Sequence, residues 1–266
     1  MTTEDTRTAW AEKPQVALIP WDPESPEHSE RLYQQRVACT WKMDKIETWR
    51  KYQREGKMSI HWIVLLPSNP RTAAMLAQHV EKYPNESTAI YDSAVSIGGH
   101  QRDFSSSSSA SFIPVGHISI DTIASTVVPT RLLADPKERR LHISSFYVSN
   151  AIQGGGIGGA AMRAAERMAA VVLGARVLTL DTVDKRVFLP VAEGGINGGV
   201  DSYLKYRRME VPKFSVQSWY EKMDYEVFKE VPEQDEGTGY VATLKTDDGR
   251  IEKWCTPSVW MEKRVD

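Results

Sequence analysis

Five glycines, Gly154, Gly155, Gly156, Gly158 and Gly159, fall within six positions, with β-forming sequence before them and a helical pattern directly after. Upstream, LHISSFYV (141–148) reads as a strand, and VLTLD (177–181) reads as a second one. Between them Ile157, Ala161, Ala164, Met168 and Val172 keep a helical period, with Arg163, Glu166 and Arg167 on the opposite side, as far as Gly174. A strand, a glycine turn and a helix in this order can hold an anion. Glycine reaches positive φ and carries no side chain to keep a ligand away. The first amides of the helix lack partners inside it and stand at the positive end of its dipole. A phosphorylated ligand is therefore expected, although a bare glycine cluster also suits a plain flexible loop.

The residues around the glycines narrow this. Gln153, Gly156 and Gly158 satisfy QxxGxG, five residues beyond the strand that ends Phe146, Tyr147, Val148. The stretch FYVSNAIQGGGIGGAAM as a whole resembles the acetyl-CoA-binding motif of the GNAT superfamily of N-acetyltransferases. The resemblance runs from about residue 113 to 225 with one insertion. It implies an α/β fold of the GNAT type, a mixed and mostly antiparallel central sheet flanked by helices. It also implies acetyl-CoA as donor substrate, its diphosphate on Gln153, Gly154, Gly155, Gly156, Ile157, Gly158 and Gly159, and its pantetheine and acetyl carbonyl on Phe146 and Val148. Further on, WYEKMDY resembles the YEKxGF segment of the same family, which makes Tyr220 the candidate general acid. There Asp224 stands where glycine is usual, and Lys213 stands at a cofactor-supporting position where asparagine is frequent.

The same glycines fit a rival. Gly154, Gly156 and Gly159 satisfy GxGxxG, and Asp181 ends the next strand where a dinucleotide fold would place its ribose acid. Against this, five residues separate the strand from the turn, the motif lies past the middle of the chain, and no alternating strand and helix units follow. A second alternative is a GNAT-like module that binds acyl-CoA without catalysis.

With 266 residues, 41% of them apolar, and a formal charge of −2, the chain can bury a real core and has no global field for nucleic acid or an anionic membrane. Small-molecule chemistry suits this balance, and the resemblance implies a small-molecule amine as acceptor; oligomeric state stays open. Cys39 and Cys255 are too few for a disulfide framework, which points to a reducing compartment and a cytoplasmic location. No apolar run approaches a membrane span. Neither GxxxxGK[ST], GxSxG nor HExxH occurs, and no metal is implied.

The expected organisation is a polar tail over residues 1–14 and one domain over 15–266. Val16 to Ile19 reads as an edge strand, a helix follows from about Glu27 with Tyr33, Val37 and Trp41 every four residues, and a second helix ends near Gly56. By the resemblance, Tyr33, Trp41, Trp49 and Tyr52 could border the acceptor pocket. SIHWIVLL is a buried strand, TAAMLAQHVEKY a helix, AIYDSAVSI a strand, and FIPVGHISIDTI the partner of the donor strand. The serines of a loop near 98–111 should be mobile. An insertion near 182–214 is rich in glycine and long enough to act as a lid. Ser215 caps the helix of Tyr220, and YEVFKEV and WCTPSVWMEKRV read as two closing strands. For the base, His142, Asp121 and ordered water all remain open.

Overall fold

The computed structural model describes residues 16–102, 110–123, 133–207, 210–231, 240–246 and 248–265; the run of five serines in the expected mobile loop, 105–109, lies outside them. Strand β1 (Val16–Pro20) leads to helices α1 (Pro26–Cys39) and α2 (Ile46–Arg54), strand β2 (Met58–Leu65) and helix α3 (Thr72–Lys82). The short strands β3 (Ile90–Tyr91), β4 (Ser96–Ile97), β5 (His100–Gln101) and β6 (Ser111–Phe112) precede β7 (Gly116–Asp121), β8 (Arg140–Ile143) and β9 (Phe146–Val148). Helix α4 (Ile157–Val171), β10 (Val177–Val183), α5 (Gly199–Arg207), α6 (Val216–Glu221), β11 (Glu226–Val231), β12 (Tyr240–Lys245), β13 (Ile251–Thr256) and β14 (Ser258–Arg264) follow. The residues group into two compact units, one running to Asp121 and resuming over Ser145–Leu173, the other Thr122–Ser144 and the chain from Gly174 onward.

In the first unit β1 pairs antiparallel with β2, β2 with β7, and β7 with β9. Its core joins Trp21, Leu32, Ile46, Trp49, Met58, Ile60, Trp62, Ile90 and Phe112. Each large side chain sealed there stabilises the fold by roughly 1.5–3 kcal/mol. Helix α1 starts where expected, with Ser25 accepting from the His28 amide and Pro26 in the first turn. Its buried face differs from the one its apolar residues suggest. Tyr33 and Val37 are 46% and 44% exposed, while His28, Arg31, Gln35 and Arg36 are buried beside Leu32. The reason is a set of buried partners. Gln35 Nε2 donates to Glu86 Oε2 and the Pro114 carbonyl, its Oε1 lies 2.8 Å from His117 Nδ1, and Arg36 Nη1 donates to Ser145 Oγ. Polar groups are stable inside when bonded in this way.

In the second unit β8 runs parallel to β10, whereas β10 with β14 and β14 with β11 are antiparallel. The pairings are thus mixed and mostly antiparallel, with helices beside them. Three expected strands are corrected. The stretch 141–148 is two strands rather than one, because β8 pairs with β10 while β9 pairs with β7, and Ser144 and Ser145 lie between them. AIYDSAVSI splits into β3, paired with β6, and β4, paired with β5. WCTPSVWMEKRV splits at Pro257, which has no amide to donate: β13 pairs with β12, and β14 with β10 and β11. The insertion is no bare loop. Val187 and Tyr203 share a small core with Ala242 and Trp254 of the β12–β13 hairpin, and Phe188, Ile196 and Tyr206 pack on it. Among the described residues no helix is long and apolar enough to cross a membrane.

Candidate functional site

The glycine turn lies in the first unit. Gly154 and Gly156 have φ of 83° and 85°, in the region that disfavours every side chain except glycine's hydrogen. Gly156 is the N-cap of α4, and the first helical bond runs from the Ala160 amide to the Gly156 carbonyl. The amides of Ile157, Gly158 and Gly159 therefore precede the helix's own ladder. Ile157 and Ile152, both buried, anchor the two ends of the turn. The inward face of α4 is Ile157, Ala161, Met162, Ala165 and Ala169. This is turned from the expected stripe: Val172 is 51% exposed, since the small alanines are what admit close packing.

Register fixes the direction of the Val148 amide. Ser119 N donates to Ser145 O and Ser149 N to Val115 O, so the hydrogen-bonded pairs of the β7–β9 ladder are 119/145, 117/147 and 115/149. The intervening residues, Phe146 and Val148, turn their backbone polar groups away from β7. The Val148 carbonyl accepts from Gln153 Nε2 at 3.1 Å, and the same amide donates to Asn150 Oδ1 at 2.8 Å. Gln153 thereby ties the glycine turn to the strand end, and the two groups expected to hold acetyl-CoA are brought together. Phe146 and Val148 are half-buried. Opposite Val148 sits Gly116, where a Cβ would come within 2.1 Å of the Tyr147 carbonyl, a requirement invisible in the sequence.

Further buried polar groups also escaped sequence reasoning. His79 of α3 places Nδ1 2.9 Å from Ser149 Oγ, one residue past β9, and its Nε2 lies 3.5 Å from Glu86. Burial lowers the His79 imidazole to about 4 and raises the Glu86 carboxyl. A histidine in an amphipathic helix gives no signal of such a partner. Of the aromatics expected at an acceptor pocket, Trp49 and Tyr52 belong to the core and Tyr33 is exposed.

In the second unit Ser215 caps α6 by accepting from the Ser218 amide. Tyr220 is buried against Trp219 and Tyr225, with ring centroids at 4.9 and 5.7 Å. Burial pushes its phenol well above the usual range, and the Asp181 carboxylate adds to this, so it keeps its proton at neutral pH. Asp181 also lies 3.3 Å from His142 Nε2, and His142 Nδ1 lies 3.0 Å from Thr179 Oγ1. Asp224 takes φ of 66°, which explains the family's glycine there. Lys213 is exposed two residues before the cap. Of the candidate bases, His142 and, in the first unit, Asp121 are both sealed from solvent, so neither meets an incoming amine without a relay.

Residues 113–187 match the model of the acetyltransferase (GNAT) family. Similar solved structures include an aminoglycoside 6'-N-acetyltransferase complexed with coenzyme A, at 12% identity over 94% of this chain and 97% of that one, TM-score 0.45. The aminoglycoside 6'-N-acetyltransferase from Enterococcus faecium gives 12% identity, the same coverages and TM-score 0.46. A spermidine/spermine N-acetyltransferase from Vibrio cholerae gives 9% identity over 94% of this chain and 93% of that one, TM-score 0.45. No curated protein matches the chain. The match to the GNAT acetyltransferase family thus runs from β7 through the glycine turn to β10, the stretch that holds the strand end and the anion-binding turn.

Proposed function

We propose that the chain moves an acetyl group from acetyl-CoA to a primary amine of a small molecule by direct attack, in the cytoplasm. The observation that carries this reading is the Val148 amide, turned out of the β7 ladder beside a glycine turn that Gln153 fastens to the same residue. An amide freed in this way can donate to the thioester oxygen as negative charge builds there, while the amides of residues 157–159 receive the diphosphate. The amine nitrogen forms a bond to the acetyl carbon, the carbon–sulfur bond breaks, and the thiolate takes a proton from Tyr220. The nitrogen's surplus proton leaves to water. The matched residues are drawn from both compact units, which supports treating 15–266 as one acetyltransferase domain; Lys213 as a cofactor contact rests on the sequence resemblance alone. Cys39 and Cys255, which form no disulfide among the described residues, suit the reducing compartment.

Ligand binding tests the donor half. At a hundredfold excess over Kd, a ligand stabilises the folded state by about 2.7 kcal/mol. For a chain of this length that is a rise in Tm of roughly 5–10 °C. Acetyl-CoA should produce it and NAD or NADP should not, and Gly156→Val should abolish it by filling the anion's space and forcing valine to positive φ. A larger shift with NAD would favour the dinucleotide rival. Release of CoA thiol across a panel of amines tests the other half; binding of acetyl-CoA without release would favour the non-catalytic module.

A further inference from the structure

Helix α3 is not part of the GNAT pattern recognised in the sequence, yet it is docked on the donor side of the first unit. At its C-terminal end His79 Nδ1 meets Ser149 Oγ at 2.9 Å. One turn earlier Met75 Cε lies 2.9 Å from where a Cβ on Gly155 would stand. Its start is held by the Arg71 amide on Asn69 Oδ1 and by Thr72 Oγ1 on the Leu66 carbonyl, at 2.8 and 2.7 Å. This docking sets the Arg71 guanidinium beside the glycine turn, with Nη2 3.8 Å from the same Gly155 point. On the other flank Arg163 Nη1 is 3.3 Å from where a Cβ on Gly159 would stand. Both arginines are exposed, and among the described residues neither guanidinium has a carboxylate partner. An arginine with its charge uncommitted beside unpartnered helix amides is suited to bidentate contact with phosphate oxygens.

We propose that Arg71 and Arg163 bracket the glycine turn as a clamp on the diphosphate of the cofactor, and that the inserted helix α3 exists in part to deliver Arg71. This deepens the acetyl-CoA reading and rests on it. The clamp adds two donors to a site whose other donors are backbone amides, and it makes binding sensitive to salt in proportion to the charges engaged.

Calorimetric titration with CoA and with dephospho-CoA, which keeps the diphosphate and lacks the 3′-phosphate, tests it. Arg71→Gln should weaken both ligands by about 10-fold or more, as expected for a charge-assisted contact, with a shallower salt dependence. Arg71→Lys should recover part of the loss. The Tm of the unliganded variant should match the parent, since Arg71 is exposed, and Arg250→Gln should leave affinity unchanged. Unaltered affinity in Arg71→Gln overturns the clamp, and so does a loss confined to the ligand that carries the 3′-phosphate. Absence of CoA binding by the unsubstituted protein would instead overturn the acetyltransferase reading on which the clamp stands.

Discussion

Tyr220 offers the sharpest test of a single group. Its ring is buried, so Tyr220→Phe keeps the packing beside Trp219 and Tyr225 and removes one hydroxyl. If that hydroxyl protonates the leaving thiolate, kcat should fall by an order of magnitude or more, since general acid catalysis contributes about 10²- to 10⁴-fold. Acetyl-CoA affinity should hardly change. Steady-state kinetics beside a thermal melt decide the matter: turnover like the parent's would hand protonation to water or another residue. A lowered Tm would mean that the hydroxyl holds structure. At this scale the sequence is legible wherever a local rule applies. Ser215 caps its helix, and Gly154 and Gly156 adopt the φ that only glycine takes easily, because these depend on neighbours within a few residues. Gly116 was not legible, since the carbonyl that excludes a Cβ there belongs to Tyr147, on the paired strand.

Elements were legible where periodicity and burial agree, as in β2, α2 and α3, and misread where tertiary partners override the pattern. Helix α1 shows its apolar Tyr33 and Val37 to solvent because Gln35 and Arg36 answer His117 and Ser145, which lie far along the chain. The insertion near 182–214 reads as a glycine-rich loop because its core partners, Ala242 and Trp254, lie far along the chain on the β12–β13 hairpin. Asn197 fastens this segment. It sits at φ of 51°, its Nδ2 donates to the Cys255 carbonyl, and its own carbonyl accepts from Trp254 Nε1. Asn197→Ala loses one bond and puts alanine in the left-handed region, which asparagine tolerates better, a loss of about 2 kcal/mol. If the segment shapes the acceptor pocket, acceptor KM should rise while acetyl-CoA affinity holds, and protease should cut first between 190 and 198. Equal damage to donor and acceptor binding in folded protein would make the segment scaffold.

Across the whole molecule, buried histidines tie stability to pH. His61, His79 and His117 are all fully enclosed; desolvation lowers His61 and His79 to about 4 and His117 well below its ordinary value. In the unfolded chain each titrates near 6.5. Above that pH both states hold neutral rings and no stability depends on them. As pH falls from 6.5 toward 4 the unfolded chain gains protons that the folded one refuses, so stability is lost progressively across that window. Each ring contributes on the order of a few kcal/mol to the loss, against a typical total of about 5–15 kcal/mol. Glu86, raised by burial, acts in the opposite sense over part of the range. His61 gives the cleanest test, because its Nδ1 contact with the Ser59 carbonyl, at 2.9 Å, is one a glutamine amide can replace. Tm should fall steeply between pH 7 and 5 in the parent and less steeply in His61→Gln, which has no proton to take up. Parallel curves for the two proteins would mean that His61 titrates alike in both states, and the acid sensitivity would then belong to other groups.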